Sequence, residues 1–263
     1  MHRFASDDKT PPIKAERYFA EAWTKPVAKP SPEPGAHRFV WNLRWPRPKA
    51  VEYNYSIAAV WGEDTPLTPE GALALPGDYD VALIVDGRES HQTLTVAPHP
   101  RAHATRAELE QAFAFYRDVE GELAKAWQTY AEIDAVHEQL ATAKKNPNAA
   151  RAKSALDAFE KKIAPFREGQ AAAAPNVGGI AETLASLATD IEAVDAAPTD
   201  AQAKVFADAR ERLTHAAELW MRTRENDLPV LNRDLTAAGV AEVHVPTVAE
   251  LHIDETPEGK DLP

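Results

Sequence analysis

The stretch Thr105–Lys144, TRAELEQAFAFYRDVEGELAKAWQTYAEIDAVHEQLATAK, decides the fold of the larger part of this chain. Its large apolar residues recur at steps of three or four, the spacing that places side chains on one side of an α-helix. They are Leu109, Phe113, Tyr116, Val119, Leu123, Trp127, Tyr130, Ile133, Val136 and Leu140. Thr105 and Glu108 form a T-x-x-E capping box, which satisfies two amide groups at the start of a helix. The pattern predicts one helix of about 57 Å, whose apolar stripe needs partner helices.

Three further segments supply the partner helices. The four predicted helices span residues 105–144, 147–167, 177–196 and 199–238. Asn146 and Pro147 predict the start of the second helix, and Thr199 with Gln202 forms a capping box for the last one. Pro229 is expected to kink or split that helix, because proline removes an internal hydrogen bond. The short connections favour antiparallel neighbours and an up-and-down bundle. The stripes of the later helices are Leu156, Phe159, Ile163 and Phe166; Ile180, Leu184, Leu187, Ile191 and Val194; and Val205, Ala209, Leu213, Ala216, Trp220 and Thr223.

The residues before the first helix are rich in proline, aromatic and β-branched residues, and several short segments have the pattern of strands. These segments are His2–Ser6, His37–Trp45, Tyr53–Trp61, Tyr79–Val85 and Glu89–Val96. Asp86-Gly87 is a strong hairpin signal, and a two-residue loop pairs Val85 with Arg88. This register places a set of apolar residues on a common face, namely Tyr79, Val81, Val85, Leu94 and Val96. Short strands separated by turns predict a small β-sandwich.

The two halves together predict an α+β, multidomain fold. Residues 1–97 form the sandwich, with a Pro-rich loop at 10–36, and residues 98–104 form a linker. The antiparallel helical bundle occupies residues 105–240, and a polar tail follows at 241–263.

Composition excludes several classes of function. The chain of 263 residues has a formal net charge of −12, which argues against binding to nucleic-acid phosphates or to anionic lipid. It has no cysteine, which excludes disulfides, thiolate catalysis and cysteine-ligated metal. No apolar run is long enough for a membrane span, and Met1–Thr10 lacks the apolar core of a signal peptide. The expected partners therefore include neither nucleic acid nor a membrane.

The sequence shows no pattern typical of catalysis or of cofactor binding. There is no H-E-x-x-H pair, no G-x-S-x-G elbow and no phosphate-binding glycine loop. We interpret His99 and His103 as surface histidines of the linker, and Asp78 and Asp80 as a solvated strand edge rather than a calcium site. The sequence therefore predicts no catalytic residue, no cofactor and no metal site.

Aromatic residues of the N-terminal half provide one candidate binding site. Trp41, Trp45 and Trp61 are candidates for a ligand platform, because flat aromatic faces stack on sugars. In a small sandwich the same residues, together with Tyr53 and Tyr55, form the core, and this is the interpretation that the sequence favours. A glycan is therefore kept as the alternative ligand.

Two segments of this half resemble a known type of domain. His37–Trp45 (HRFVWNLRW) and Leu73–Val85 (LALPGDYDVALIV) are similar to the h-x-F-x-W-D-L and P-G-x-Y-x-V strands of immunoglobulin-like domains of the flagellar-hook-capping type. With the A-x-L-x-x-x-F start of the first helix, residues 37–240 resemble the C-terminal region of exported bacterial β-propeller proteins. These sialidase-like or sortilin-like proteins are usually classed as glycosyl hydrolases. The resemblance implies an immunoglobulin-like β-sandwich and a helical bundle behind a propeller.

The sequence departs from this pattern in three ways. Asn42 stands where the strand pattern has aspartate, and Pro229 interrupts a helix that the family keeps whole. The S-x-D-x-G-x-x-W repeat of the propeller is absent, so no catalytic residue can be carried over. The resemblance implies a non-catalytic accessory or interaction module, whose partner is the propeller or another protein. The alternative is a part of a glycoside hydrolase whose catalytic residues lie outside this chain.

The resemblance also implies an incomplete sandwich. His2-Arg3-Phe4 then corresponds to the end of a strand, and the sandwich lacks its first strand or two. An edge left without its neighbour has free N–H and C=O groups, and we expect it to pair with other chains. The proteins that the chain resembles are exported, periplasmic or extracellular, whereas these residues show no signal peptide, so the sequence leaves the localisation of this chain open.

Overall fold

The computed structural model describes residues 2–9, 29–55, 67–169 and 174–251, and the protein is mostly helical, at 53%. The β-strands are β1 (Asn54–Tyr55), β2 (Leu67–Thr68), β3 (Gly77–Val85) and β4 (Arg88–Val96). The α-helices are α1 (Arg106–Lys144), α2 (Lys153–Glu168), α3 (Val177–Ile191), α4 (Asp200–Arg222) and α5 (Leu228–Ala238). The strands described form two separate antiparallel pairs, β1–β2 and β3–β4.

Helix α1 is the longest element, and the other long helices pack around it. It contacts α2, α3 and α4, while α5 contacts α2. The buried residues at these contacts include Tyr116, Val119, Leu123, Ile133, Val136 and Leu140 of α1; Leu156, Phe159, Ile163 and Phe166 of α2; Ile180, Leu184, Leu187 and Ile191 of α3; and Ala209, Leu213, Ala216 and Trp220 of α4. The capping box at Thr105 is confirmed, since its N–H donates to Glu108 Oε2 at 2.7 Å and its Oγ1 accepts from the Glu108 N–H at 3.3 Å.

The start of α2 differs from the prediction. The helix begins at Lys153, because Ala149–Arg151 form a short 3₁₀ turn first. The Asn146 side chain caps no α-helix here. Its Oδ1 accepts the N–H of Asn148 at 2.9 Å, which is a turn of the Asx type. The Asn-Pro signal at 146–147 therefore marks a turn.

Two predicted stripe positions are also wrong. Helix α3 ends at Ile191, so Val194 lies beyond it and is exposed. In α4 it is Phe206 that is buried, and Val205 beside it is exposed. Phe206 contacts Phe115 of α1 edge-on, with ring centroids 5.3 Å apart. The larger ring at the neighbouring position thus takes the place predicted for the valine.

Pro229 divides the last predicted helix, as expected. Residues Thr223–Asp227 form a single π-helical turn between α4 and α5, and the Leu228 N–H donates to the Thr223 carbonyl. Pro229 lies in the first turn of α5, where its missing N–H removes no hydrogen bond that the helix needs. The wider π turn lets the chain continue in a helical conformation through the proline.

The predicted immunoglobulin-like β-sandwich is wrong. Of the predicted strand His37–Trp45, only Arg44 makes a bridge, with Leu73. Leu43 has a left-handed backbone, with φ of 60°, which turns the chain out of an extended course. Pro46 and Pro48 follow immediately and have no N–H for a ladder. The other sheet among the described residues, β1–β2, has only two residues in each strand and does not form the second layer of a sandwich with the hairpin β3–β4.

The segment that was expected to build the second sheet packs on the helices instead. Ala72 belongs to the helical core, and Trp45 and Val51 pack against that core. Backbone hydrogen bonds join Trp45 N–H to the Ala72 carbonyl at 2.8 Å and Ala74 N–H to the Leu43 carbonyl at 2.7 Å. The long apolar surface of the helices thus competes successfully for these side chains.

The described part of the predicted polar tail, residues 241–251, packs partly against the bundle. Val243 is buried, and Asn232 of α5 holds it by two hydrogen bonds of 2.8 and 2.9 Å, one to its carbonyl and one from its N–H. Gln139 of α1 holds His244 in the same manner, at 2.8 and 3.0 Å. Leu251 is buried against Trp127 and Ala131 of α1. Within the ranges described, no helix is long and apolar enough to cross a membrane.

Candidate functional site

Among the described residues, the hairpin β3–β4 carries a group of large apolar side chains that are exposed. Its predicted register is confirmed, with Val85 opposite Arg88 and Tyr79 opposite Leu94. Asp86 and Gly87 have φ of 50° and 76°, which are the left-handed values of a type I′ turn. Five large apolar side chains are exposed: Val81 45%, Leu83 63%, Ile84 66%, Val85 55% and Leu94 40%.

Most of these side chains share one face. Val81, Leu83 and Val85 alternate along β3, and Leu94 on β4 lies on the same side because it pairs with Tyr79. In a β-sandwich this face would be the core. Here it is solvent-exposed, so the hydrophobic face predicted from the sequence exists, but none of the described segments forms a second layer over it.

The hairpin also leaves both of its edges open. In a hairpin closed by a two-residue loop, the N–H and C=O groups of Val85, Leu83, Val81 and Tyr79 bond to β4, and those of alternate residues point outward. The outward positions of β3 are Asp78, Asp80, Ala82 and Ile84. Among the residues that the structure describes, no backbone hydrogen bond joins either edge to another segment.

The two ends of the β3 edge differ in charge. Near the base, Asp78 accepts a hydrogen bond from Thr95 Oγ1 at 2.6 Å, and Asp80 lies 2.8 Å from His91 Nδ1. Towards the turn, residues 81–85 are Val-Ala-Leu-Ile-Val and have no charge. Neither lysine nor proline, the residues that commonly protect an edge from pairing, occurs in 77–96.

An aromatic cluster holds the base of the hairpin. The Trp41 ring contacts Tyr79 edge-on at 5.6 Å between centroids, and its Nε1–H donates to the Arg44 carbonyl at 2.8 Å. The Tyr79 hydroxyl donates to the Leu75 carbonyl at 2.6 Å, and desolvation by partial burial raises the Tyr79 pKa. The hairpin is therefore anchored at its base and exposed towards its turn.

A network of charged groups fixes this base on the bundle. The Arg44 guanidinium contacts the carboxylate of Glu192 at the end of α3, and also lies 3.1 Å from Glu70 Oε2. Glu192 Oε1 accepts the Leu73 N–H at 2.9 Å, so one carboxylate holds two points of the N-terminal segment. The Tyr116 hydroxyl of α1 donates to the Glu70 carbonyl, and burial raises its pKa. The sequence analysis missed Arg44 and Glu192, because they lie 148 residues apart and neither belongs to a local motif.

The three tryptophans of the predicted platform do not share one environment. Trp41 lies half-buried beside Tyr79, whereas Trp45 is half-buried against the helical core. The Trp45 Nε1 atom is buried without a hydrogen-bond partner in the described structure. Trp61 lies outside the described residues, so the platform stays a prediction. Tyr53 is buried, and its hydroxyl donates to the Pro48 carbonyl at 2.7 Å.

Ionisable groups of the helices form ion pairs. Lys144 contacts Glu160 and lies 3.1 Å from Asp157, and these hydrogen bonds raise the pKa of Lys144. Arg167 Nη2 lies 2.8 Å from Asp134. The open groove of about 300 Å³ between α1 and α2 is lined by three members of these pairs, Asp157, Glu160 and Arg167, and by His137, Lys161 and Ala164. The described residues contain no group of three or more His, Asp or Glu residues placed to hold a metal ion.

The carboxylate of Glu132 is buried inside the bundle. Glu132 of α1 accepts from Trp220 Nε1–H at 2.8 Å, from Gln128 Nε2–H at 3.1 Å and from Arg224 at 3.3 Å. Through these hydrogen bonds the Glu132 carboxylate links α1 to α4 and to the π turn, and both of its oxygens accept. This set has the composition of a structural network, since no nucleophile or second acid lies in it.

Comparison with known proteins does not identify a relative. No protein-family model, no curated protein and no solved structure matches this chain. The function therefore has to be inferred from the geometry of the hairpin and from the way it is mounted on the helices.

Proposed function

We propose that this chain is a non-catalytic interaction module, in which the hairpin β3–β4 binds a protein partner and the helical bundle supports it. The observation that carries the proposal is the exposed apolar hairpin with open edges. A partner strand laid along one edge would bond to the outward N–H and C=O groups. This mode of recognition is β-strand addition.

The stability of hairpins supports the proposal. Two strands alone are marginal in water, and a third strand or a covering surface is usually needed for a stable sheet. Covering a valine, leucine or isoleucine side chain completely contributes roughly 1.5–3 kcal/mol. A partner that covers Val81, Leu83 and Val85 would therefore gain several such contributions, beyond the hydrogen bonds of the added strand.

The attachment of the hairpin to the bundle also supports the proposed interaction. Arg44, Glu192 and Trp41 attach the base to the bundle through ion pairs and ring contacts. A surface held on a rigid support loses less conformational freedom on binding than a free segment does. The β-propeller implied by the resemblance is one candidate partner, because each of its blades is a small sheet whose outer strand has a short edge.

The glycoside hydrolase alternative stays a prediction. It places the catalytic residues outside this chain, and no observation on the described residues favours it over the interaction module. An assay of the purified chain on aryl-glycosides tests it directly. We expect no turnover, and turnover that survives repeated purification would contradict the interaction-module proposal.

A photo-crosslinking experiment tests the proposal in the cells that make the protein. A photoreactive phenylalanine replaces Leu83 in one variant and Val205 in another, since both side chains are exposed and apolar but only one is on the hairpin. We expect a discrete crosslinked species from position 83 and none from position 205. Mass spectrometry of that species identifies the partner.

The control for this experiment changes only the edge. The double substitution Ala82→Lys and Ile84→Lys puts charge at two exposed outward positions and should abolish the species formed from position 83. Helical circular dichroism should not change. Equal crosslinking from both positions, or a species that persists in the double-lysine variant, would refute recognition through the hairpin.

A further inference from the structure

The sequence and the register of the hairpin indicate which partner strand fits the free edge of β3. We infer that a second copy of this chain pairs with β3, antiparallel across a two-fold axis at Leu83, to form a four-stranded sheet. This inference rests on the proposed function, because it names the partner of the same hairpin.

The outward groups restrict how two copies can pair. Only even-numbered residues of β3 have free N–H and C=O groups, so a ladder must join even positions to even positions. Pairing Ala82 with Ile84 of the second copy satisfies this requirement twice, once on each side of the axis. Leu83 then lies opposite its own equivalent, and Val81 lies opposite Val85.

This register continues the exposed apolar face across both copies. Val81, Leu83 and Val85 of each chain fall on one side of the sheet, next to Leu94. The paired segment 81–85 is uncharged, so no charged side chain loses its water inside the new ladder. A strand with lysine or glutamate at these positions would fit less well than the chain's own strand.

The other edge is less suitable for a second copy. The outward positions of β4 are Glu89, His91, Thr93 and Thr95, all of them polar. Glu89 and Asp80 both lie within ion-pair distance of His91, at 3.3 and 2.8 Å. A copy laid along β4 would disturb this charged set and would bond through positions that are all polar.

The net charge of the chain favours a dimer in which the two β3 strands overlap only near their turns. Each chain has a formal net charge of −12, so two bundles repel each other. Strands nine residues long that overlap only near their turns keep the two bundles at opposite ends of the sheet. Asp80 and Asp86 of the facing copy lie near each end of the overlap. Salt should therefore strengthen the association by screening this repulsion.

The absence of cysteine provides a direct test of the register. In the inferred dimer the two Leu83 positions form a pair without ladder hydrogen bonds, whose Cα atoms lie about 4.5 Å apart, within the range that a disulfide spans. Leu83→Cys should crosslink most of the purified chain under mild oxidation. The matched control Thr93→Cys, at an exposed position on β4, should crosslink only at the background level.

Light scattering tests the dimer without a crosslink. The purified chain should have twice the mass of 28.8 kDa, and Ala82→Lys should halve that mass while Thr93→Lys should not. Both positions are exposed, so both variants should keep the helical circular dichroism of the original chain. Loss of the dimer in Thr93→Lys alone, or in neither variant, would refute pairing through β3.

A monomer at all concentrations, with equal crosslinking of the two cysteine variants, would also overturn the inference. The proposed function has a separate outcome in that case. If position 83 crosslinks in cells to a different protein, the dimer is refuted but the proposed interaction module is supported. If position 83 gives no crosslinked species at all, both the dimer and the proposed function are refuted.

Discussion

The helical bundle and the hairpin begin from the same kind of signal and end in opposite environments. Both have a regular apolar pattern, with a period of three to four residues in the helices and of two in the hairpin. Leu123 and Leu187 are buried among other helices, whereas Leu83 is exposed. The comparison teaches that a periodic pattern determines which face is apolar, while burial depends on whether a second surface of the same chain is available.

Leucine truncation is the sharpest test of this comparison and should give the largest effect. Leu123→Ala and Leu187→Ala should each lower the free energy of unfolding by about 2–5 kcal/mol, because each leaves a cavity in a packed core. Leu83→Ala should change it by less than about 0.5 kcal/mol, as exposed substitutions do. Denaturant unfolding followed by helical circular dichroism measures all three. Equal costs at positions 123 and 83 would mean that the two regions do not differ.

Two glycines test how the N-terminal segment is held against the bundle. A Cβ on Gly71 would overlap the Trp45 carbonyl and lie 2.7 Å from the Pro46 oxygen, so Gly71→Ala should cost about 1–3 kcal/mol. Gly121 of α1 has open space around it, and Gly121→Ala should stabilise the helix by about 1 kcal/mol. Thermal unfolding of the two variants measures whether each substitution lowers or raises the stability. A neutral Gly71→Ala would show that the segment can move away from the bundle at little cost.

The contact between Arg44 and Glu192 should give a smaller, pairwise effect. Both side chains are largely buried, and Arg44→Ala leaves the Glu192 carboxylate with fewer partners. A double-mutant cycle with Glu192→Gln should give a coupling free energy of about 1 kcal/mol. Proteolysis of the segment before α1 should accelerate in either single variant, because the base of the hairpin is then less firmly attached. Additive effects would show that the two residues act independently.

The smallest effect concerns the hairpin and pH. Hydrogen bonding and charge attraction from Asp80, with a further contribution from Glu89, raise the pKa of His91. The protonated form is thus favoured in the folded hairpin, and its stabilising effect is complete below the usual histidine pKa of about 6.5. It is lost as the pH rises through the raised value. The protection factors of the β4 amides, which correct each exchange rate for its intrinsic pH dependence, should therefore be larger below the usual histidine pKa than above the raised value, and His91→Gln should abolish this difference. Protection factors that are larger at alkaline pH would contradict the sign.

Local features of the structure could be predicted from the sequence. The capping boxes at Thr105 and Thr199 involve residues three positions apart, and both are present. The type I′ turn at Asp86-Gly87 sets the register of the whole hairpin. The division of the last helix at Pro229 follows from a missing N–H. Each of these features depends on the backbone chemistry of a few neighbouring residues, which is why short patterns determine them.

Features that depend on competition between distant surfaces could not be predicted. The sequence suggested that Trp45 and its neighbours would face a second sheet, yet the helices offer a larger apolar surface, and the segment packs there. Arg44 and Glu192 carry no pattern that links them. For the candidate site, the sequence correctly indicated an apolar face on the hairpin but assigned it to a core.

The sequence by itself therefore determined where α1 begins, which sides of the helices are apolar, and how β3 pairs with β4. Only the tertiary structure decided that Val243 and Leu251 would return to the bundle and that the face around Leu83 would stay exposed. The physical reason is that propensity, capping and turn geometry act within a few residues. Burial, in contrast, depends on the total apolar surface that the folded chain can bring to one place.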